Sequence, residues 1–275
     1  MNPPAPVPIL IAGHYCHDTI VGKAGRHEVL GGSAAYSSAV LGALGVSCSV
    51  VAKVGADFRY RRQVAGAPIV EGPRTTSFVD DYSAGERSET LEAVCAPIRP
   101  EEIELPADVA IACPIAGELP PATLLKLRSV SRLLVADAQG LIRAFGPRGE
   151  VTNRPLAETP FAPLLDRLDY LKLSASEARG VDLDALCRQT RVIVTDGPAG
   201  STLYGAGPPV RVPAFPAEER DSTGAGDCFL AGFAAGLHLR WPVERALRLA
   251  SFCGARAVEQ VGIPRLSRAA FADFL

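Results

Sequence analysis

Apolar positions in this chain fall into short, evenly spaced clusters separated by turn residues. Val7 to Ala12 is a continuous run rich in branched residues that stops at Gly13, which predicts a strand buried on both faces. Past a polar stretch holding Gly22 and Gly25, Ser33 to Leu44 carries Ala35, Ala39, Val40 and Leu44 at helical spacing and ends at Gly45, predicting a packed helix. Val46, Cys48, Val50, Ala52 and Val54 alternate with smaller or polar residues and predict a strand closing at Gly55. Residues 75–98 break this rhythm and read as two extended runs joined by a turn around Ser83, Ala84 and Gly85. Strands are then predicted at Val109 to Cys113, Leu133 to Ala136, Tyr170 to Leu173 and Val192 to Thr195, with a helix over Ala122 to Arg128 among the intervening segments. Ala225 to Leu237 and Val243 to Val258 carry the clearest helical pattern, the second with an apolar stripe through Ala246, Leu247, Ala250, Cys253 and Ala257.

Strands alternating with helices imply a parallel α/β sheet, whose ligands bind where strands run into helices at their carboxyl ends. The hairpin at 75–98, together with the excursion at 18–30, is expected to form a small sheet standing off that layer and covering a site. No repeat or low-complexity tract interrupts the pattern.

Composition narrows the classes. With 275 residues and 48% hydrophobic content the chain can fill a sizeable core. The formal net charge is −2, so no general attraction to nucleic acid or an anionic membrane is implied. No run reaches the roughly 18 to 20 apolar residues of a membrane helix, and the start MNPPAPVPIL lacks a basic n-region, so a cytoplasmic location is expected. The seven cysteines are scattered singly with no CxxC, as reduced and mostly buried thiols would be.

The densest chemistry lies at Asp221-Ser222-Thr223-Gly224-Ala225-Gly226-Asp227, directly before an apolar helix. Glycines at 224 and 226 let backbone N–H groups approach an anion, and the helix start adds its positive end. Asp227 in that first turn could take a proton from an attacking hydroxyl while the amides hold phosphoryl oxygens. The local pattern alone fits equally a glycine-rich turn in which Asp227 complements the helix dipole. There is no GxxxxGK[ST] or GxGxxG, which removes those two nucleotide-binding classes, and no GxSxG or HExxH, which weakens the hydrolase and zinc-protease readings.

GAGD preceded by Asp221 and Thr223, together with Gly31-Gly32 before an Ala-rich helix ending in Leu44-Gly45, resembles the ribokinase-type (PfkB) carbohydrate kinase family. The resemblance implies a ribokinase-like three-layer α/β/α sandwich with a mostly parallel central sheet and a small β-sheet lid. It also implies a single kinase domain over 1–275, with lid segments at about 14–30 and 74–98. Asp227 is then the general base and Gly224, Ala225 and Gly226 form the anion hole. Asp18 binds acceptor hydroxyls, and Gly31 and Gly32 border the acceptor at the lid hinge. Val194-Thr195-Asp196-Gly197-Pro198-Ala199-Gly200 is similar to the family's nucleotide loop, making Thr195, Gly197 and Gly200 cofactor contacts beside Thr223. GHYCHD, FRYRRQVAGAPIV, CAPIRPEE, IAGELPPATL, DAQGLIRAF, LKLSASEA and VDLDALC resemble most the plant-type myo-inositol kinase branch, implying myo-inositol as acceptor. The resemblance implies ATP and Mg2+, with Glu177 reaching the metal through water, and allows a potassium ion in the Asp221 loop.

Two departures stand out. Tyr36 replaces an Asn of the family pattern, and Ser174 replaces the Asn of its NxxE motif while Glu177 is retained, so Ser174 is a reduced nucleotide-site candidate. His14, Cys16, His17 and Asp18 are all zinc-binding types, but in an extended segment His17 falls on the opposite face from the other three. An acceptor contact from Asp18, with His14, is favoured over a metal. Asp137 ends a strand, and Gln139 and Arg143 follow it; Gln139 is taken as an acceptor contact, whereas Arg143 fits either the crevice or a solvated surface. Arg59, Arg61 and Arg62 read as solvated surface, and Cys228 as helix packing.

The expected activity is phosphoryl transfer from ATP to a hydroxyl of a small polyol. The alternatives are another sugar or nucleoside kinase of the family, or a silent member serving as a regulatory scaffold. Expected partners are the polyol and ATP, with no nucleic acid or membrane, in a monomer or a homodimer joined through the lid.

Overall fold

The computed structural model describes residues 7–22, 25–83 and 88–274. Successive apolar residues of its central strands go to opposite faces, so each continuous run feeds two cores. Ile9, Ile11, Val109, Ile111 and Val135 enter one core, while Leu10, Ala12, Ala110, Leu134 and Ala136 enter the other.

In chain order the strands among the described residues are β1 (Val7–Ala12), β2 (Cys16–Gly22), β3 (Gly25–Gly31), β4 (Cys48–Val51), β5 (Lys53–Val54), β6 (Ile69–Val70), β7 (Ser77–Asp81) and β8 (Ser88–Ala93). They continue with β9 (Ala107–Ala112), β10 (Ser131–Asp137), β11 (Arg143–Phe145), β12 (Val151–Asn153), β13 (Tyr170–Ser174), β14 (Arg191–Thr195), β15 (Ser201–Tyr204) and β16 (Val210–Val212). The helices are α1 (Ser33–Leu44), α2 (Pro121–Val130), α3 (Gln139–Ile142), α4 (Leu183–Cys187), α5 (Ala225–His238) and α6 (Val243–Val258). The large sheet has the order β16, β15, β14, β13, β10, β9, β1, β4. Its strands from β4 to β14 are parallel, and β15 and β16 turn back as an antiparallel edge. Helices α1, α5 and α6 pack in one core, with α2 and α4 in the other, giving three layers.

The sequence-based strand over 46–54 divides in two. After Cys48–Val51 joins the main sheet, Lys53–Val54 leaves it to pair in parallel with Ile69–Val70. The antiparallel edge β15–β16 and the small ribbon β11–β12 were not anticipated, because three- and four-residue strands carry too little alternation to register.

The second sheet has the order β3, β2, β7, β8. The hairpin predicted at 75–98 is β7 and β8, antiparallel, with its turn at Ala84 and Gly85 outside the described residues. The 18–30 excursion is a second hairpin, β2 and β3, and β2 joins β7 in parallel register, His17 opposite Ser77. On the β8 edge, Leu91 N–H donates to Gly149 O at 2.8 Å, tying the sheet to the turn before β12.

Candidate active site

The carboxyl ends of β10, β13 and β14 converge on the start of α5, which brings Asp137, Lys172, Thr195 and Asp227 around one cavity of about 350 Å³. The small sheet closes this cavity from the other side with Asp18, Phe78, Asp80 and Glu89. A second cavity of about 420 Å³ lies beyond the start of α5 and is mostly apolar, with Phe215, Pro216, Phe229, Ala255 and Val258 in its walls. Thr195, Gly197, Ala225 and Gly226 border both cavities, so the GAGD turn is their meeting point.

The turn is built around Gly224, which caps α5 in the left-handed region at φ 73°. A side chain there would be strained by its backbone and would also run into the Tyr36 ring, so the Tyr36 departure and Gly224 are one packing solution. Burial, with Asp18 and Asp221 nearby, holds the Tyr36 phenol well above its ordinary range, so it remains a neutral wall of the cavity. Asp221 fastens the loop from behind: Oδ1 accepts from Thr223 N–H at 2.9 Å and Oδ2 from Gly262 N–H at 3.1 Å. Thr223 Oγ1 is buried with no hydrogen-bond partner. An orphaned hydroxyl beside a helix start, whose first N–H groups have no intrahelical acceptor, fits an anionic ligand, which would satisfy it.

Asp227 lies in the first turn of α5. Its carboxyl is pushed up to about 6, first by burial and then by the neighbouring charge of Asp137, while the Ser33 hydroxyl, Lys172 and Arg143 pull it back down. A carboxylate poised in that range suits a base acting near neutral pH. Below it, Lys172 Nζ donates to Asp137 Oδ2 at 2.9 Å, both side chains almost fully buried. Burial alone would discharge Lys172, but Asp137, Glu177 and Asp227 together raise it above the ordinary lysine value and keep it cationic. Adding a Cβ to Gly226 would bring it 2.5 Å from Nζ, so the ammonium lies directly beneath the helix start.

Ser174 and Glu177 bond reciprocally: Ser174 N–H donates to Glu177 Oε2 at 2.7 Å, and Glu177 N–H donates to Ser174 Oγ at 3.2 Å. Serine thus takes over the turn-closing part of the replaced Asn, and Glu177 still borders the cavity. No group of three or more His, Cys, Asp or Glu side chains among the described residues is arranged to hold a metal. A magnesium carried in by phosphates, leaning on one carboxylate through water, fits this donor set better than a protein cage.

On the lid side, Asp18 is buried on β2, and a Cβ on Gly31 of the neighbouring β3 would land on its carboxylate, so the first glycine of the pair is dictated by close approach. Gly32 borders the cavity as well. Arg143 belongs to the crevice: it donates twice to Glu89, at 3.0 and 2.8 Å, and once to Ile115 O at 3.0 Å, beneath the Phe78 ring. Gln139 also borders the cavity, whereas Gly200 lines the second cavity alone.

His14 is the exception. It is fully buried outside the cavity wall, bonded through Nδ1 to Thr76 Oγ1 at 3.0 Å, and its backbone N–H donates to Glu118 at 3.0 Å. Strand β2 begins only at Cys16, so the irregular turn over 13–15 breaks the alternation that had placed His14 beside Asp18. Arg61 and Arg62 are exposed and Cys228 is buried in helix packing, as read from the sequence. Lys172 and Glu89 were missed; no short motif marks a residue whose partner, Asp137 for the first and Arg143 for the second, becomes adjacent only in the folded chain. Among the described residues no helix is long and apolar enough to cross a membrane.

Residues 166–266 match the profile of the pfkB family carbohydrate kinase. The chain is 41% identical over 277 residues to an inositol 3-kinase of Zea mays, covering 93% of this chain and 73% of that protein. A pyrophosphate-dependent kinase in the ribokinase family, complexed with a pyrophosphate analog and myo-inositol, superposes with TM-score 0.78 at 23% identity, covering 96% of this chain and 99% of that one. A fructokinase with bound ATP from Xylella fastidiosa does so with TM-score 0.78 at 19% identity, covering 97% of each chain. With such identity running through nearly the whole chain, and the family profile spanning the loop that carries Asp227, the protein belongs to the pfkB family of carbohydrate kinases.

Proposed function

We propose that the protein phosphorylates a hydroxyl of myo-inositol at the expense of ATP, as one kinase domain whose lid segments close over the acceptor. The observation that carries this reading is the position of Asp227, a carboxylate raised toward neutrality in the wall of the first cavity, next to Ala225 and Gly226 where that cavity meets a second of different character. The acceptor side is rich in carboxylates, which suits a ligand that offers several hydroxyl donors and little apolar surface. The likeness to inositol 3-kinases supports myo-inositol and, by extension, its 3-hydroxyl.

The donor side decides between ATP and pyrophosphate, both of which serve proteins of this fold. A cavity of about 420 Å³ walled by Phe215, Phe229, Ala255 and Val258 suits a nucleobase and ribose, whereas pyrophosphate would leave it unfilled. Bound ATP would supply the transferable phosphoryl group and magnesium would spread its charge, with Glu177 as the carboxylate that would hold the metal through water.

In this reading Asp18 orients the acceptor with its reacting hydroxyl toward Asp227. Asp227 accepts the hydroxyl proton as the oxygen attacks. The amides of Gly224 to Asp227, the Thr223 hydroxyl and the Lys172 ammonium receive the charge that develops on the phosphoryl oxygens. Asp221 holds the loop in shape through its bonds to Thr223 and Gly262.

The test is ADP release with ATP and magnesium over a panel of myo-inositol, ribose, fructose, adenosine and cytidine, repeated with pyrophosphate as donor. Turnover is expected on myo-inositol with ATP. Preference for another acceptor would overturn the substrate, and preference for pyrophosphate would overturn the donor.

A further inference from the structure

Cys16 is a thiol of the acceptor cavity that the scheme above does not use. It stands two residues before Asp18 on β2, so both side chains leave the strand on the same face. Its Sγ lies 2.8 Å from Asp18 Oδ1, with the thiol as donor. Both residues are buried, at 1% and 7% exposure. Across the ladder Cys16 pairs with Gly31, whose bare Cα accommodates the Asp18 carboxylate. The carboxylate therefore sits in a socket with a sulfur donor on one side and a glycine on the other.

We propose that Cys16 is a positioning residue for the acceptor, fixing the rotation of the Asp18 carboxylate through its thiol hydrogen bond so that Asp18 meets the polyol in one orientation. The thiol is suited to this task and not to nucleophilic chemistry. Burial, followed by the charges of Asp18, Glu118 and Asp80, drives its ionisation well above the ordinary thiol range, so it remains a donor. Phe78, Ile115 and Ala116 pack around it and restrict its rotamer. An aspartate carboxylate can turn about its χ angles, and each extra orientation weakens a contact that depends on direction. The proposal deepens the inositol kinase reading and rests on it for the identity of the acceptor.

The experiment compares the wild type with Cys16→Ser, which keeps a donor, Cys16→Ala, which removes it, and Cys16→Val, which removes it while filling the space. KM and kcat for myo-inositol, KM for ATP and Tm are measured for each. Losing a hydrogen bond to a charged group should raise KM for myo-inositol about 10-fold in the Ala and Val variants, with kcat and KM for ATP little changed and the Ser variant restoring most of the loss. Equal KM for Ser, Ala and Val, or a loss shared by the ATP KM, would overturn it. An activity-independent readout is the infrared S–H stretch: a band shifted to low frequency, absent in Cys16→Ser and moved by Asp18→Asn, is expected. A Cys16 band that ignores Asp18→Asn would refute the contact. If the wild type fails on myo-inositol but turns over another acceptor, the substrate reading fails alone, and the variants are compared on that acceptor.

Discussion

Lys172 Nζ and Asp137 Oδ2 stand 2.9 Å apart on neighbouring parallel strands, 35 residues apart in sequence, directly under the start of α5. An ion pair removed from water is expensive unless it is put to use. Here it does two things: Asp137 keeps Lys172 charged, and its own charge helps to lift Asp227 toward neutrality. Transfer of a phosphoryl group adds charge where the ammonium and the helix amides already point.

Replacing Lys172 by Met should therefore cost about 10²–10³ in kcat by removing a charge that stabilises the transition state. It should also destabilise the protein by about 3–5 kcal/mol, because Asp137 is left buried and unpaired. The double variant Lys172→Met with Asp137→Asn is expected to recover most of the stability and none of the rate. Chemical denaturation and steady-state kinetics on the three proteins separate the two effects.

Asp227 imposes a stability penalty that its removal should reveal. Its ordinary value is 3.8 and its folded value about 6, so between these the folded state binds more protons and stability falls as pH rises. The penalty is complete above about pH 6 and absent below about pH 4. Asp227→Asn should raise Tm at pH 7.5 by several °C, with the difference closing in acid. Activity of the wild type should fall as pH drops through about 6, when the base becomes protonated.

Arg143, on β11, ties Glu89 of the lid to the Ile115 carbonyl just past β9 and lowers the Asp227 carboxyl by its charge. Arg143→Gln should therefore shift the acid limb of kcat/KM to higher pH. Glu89→Gln, which keeps the shape and weakens the charge-assisted pair, should raise KM for the acceptor about 3- to 10-fold. A pH profile for the first variant and a KM series for the second read these effects.

Gly31→Ala places a methyl group on the Asp18 carboxylate. An increase of at least about 10-fold in acceptor KM is expected, since a misplaced contact group loses its alignment. ATP binding, measured by calorimetry, should be unchanged because the second cavity lies on the far side of the GAGD turn.

Much of this was legible in the chain, and the gaps have physical causes. Helix α6 begins and ends where its apolar stripe does, and α1 runs from Gly32 to a left-handed Gly45 as the punctuation implied. The GAGD loop announced itself because backbone approach to an anion demands glycine at fixed spacing. Asp137 stood out at the end of its strand, but Lys172 and its pairing with Asp137 were silent because that partnership depends on strand order, a long-range property. Arg143 was ambiguous for the same reason: its partner Glu89 lies on a different sheet. His14 misled because strand alternation was extended across a turn that the structure places before β2.

The most direct measurement is transfer of radiolabel from γ-labelled ATP to myo-inositol by the wild type and by Asp227→Asn at pH 7.5, with binding of both ligands checked by calorimetry. Labelled myo-inositol monophosphate is expected from the wild type. The variant should bind both ligands and lose at least about 10²–10⁴ in rate, the usual contribution of a general base. Labelled product from the variant at a comparable rate, or none from a wild type that binds both ligands, would contradict the assignment of Asp227 as the base of an inositol kinase.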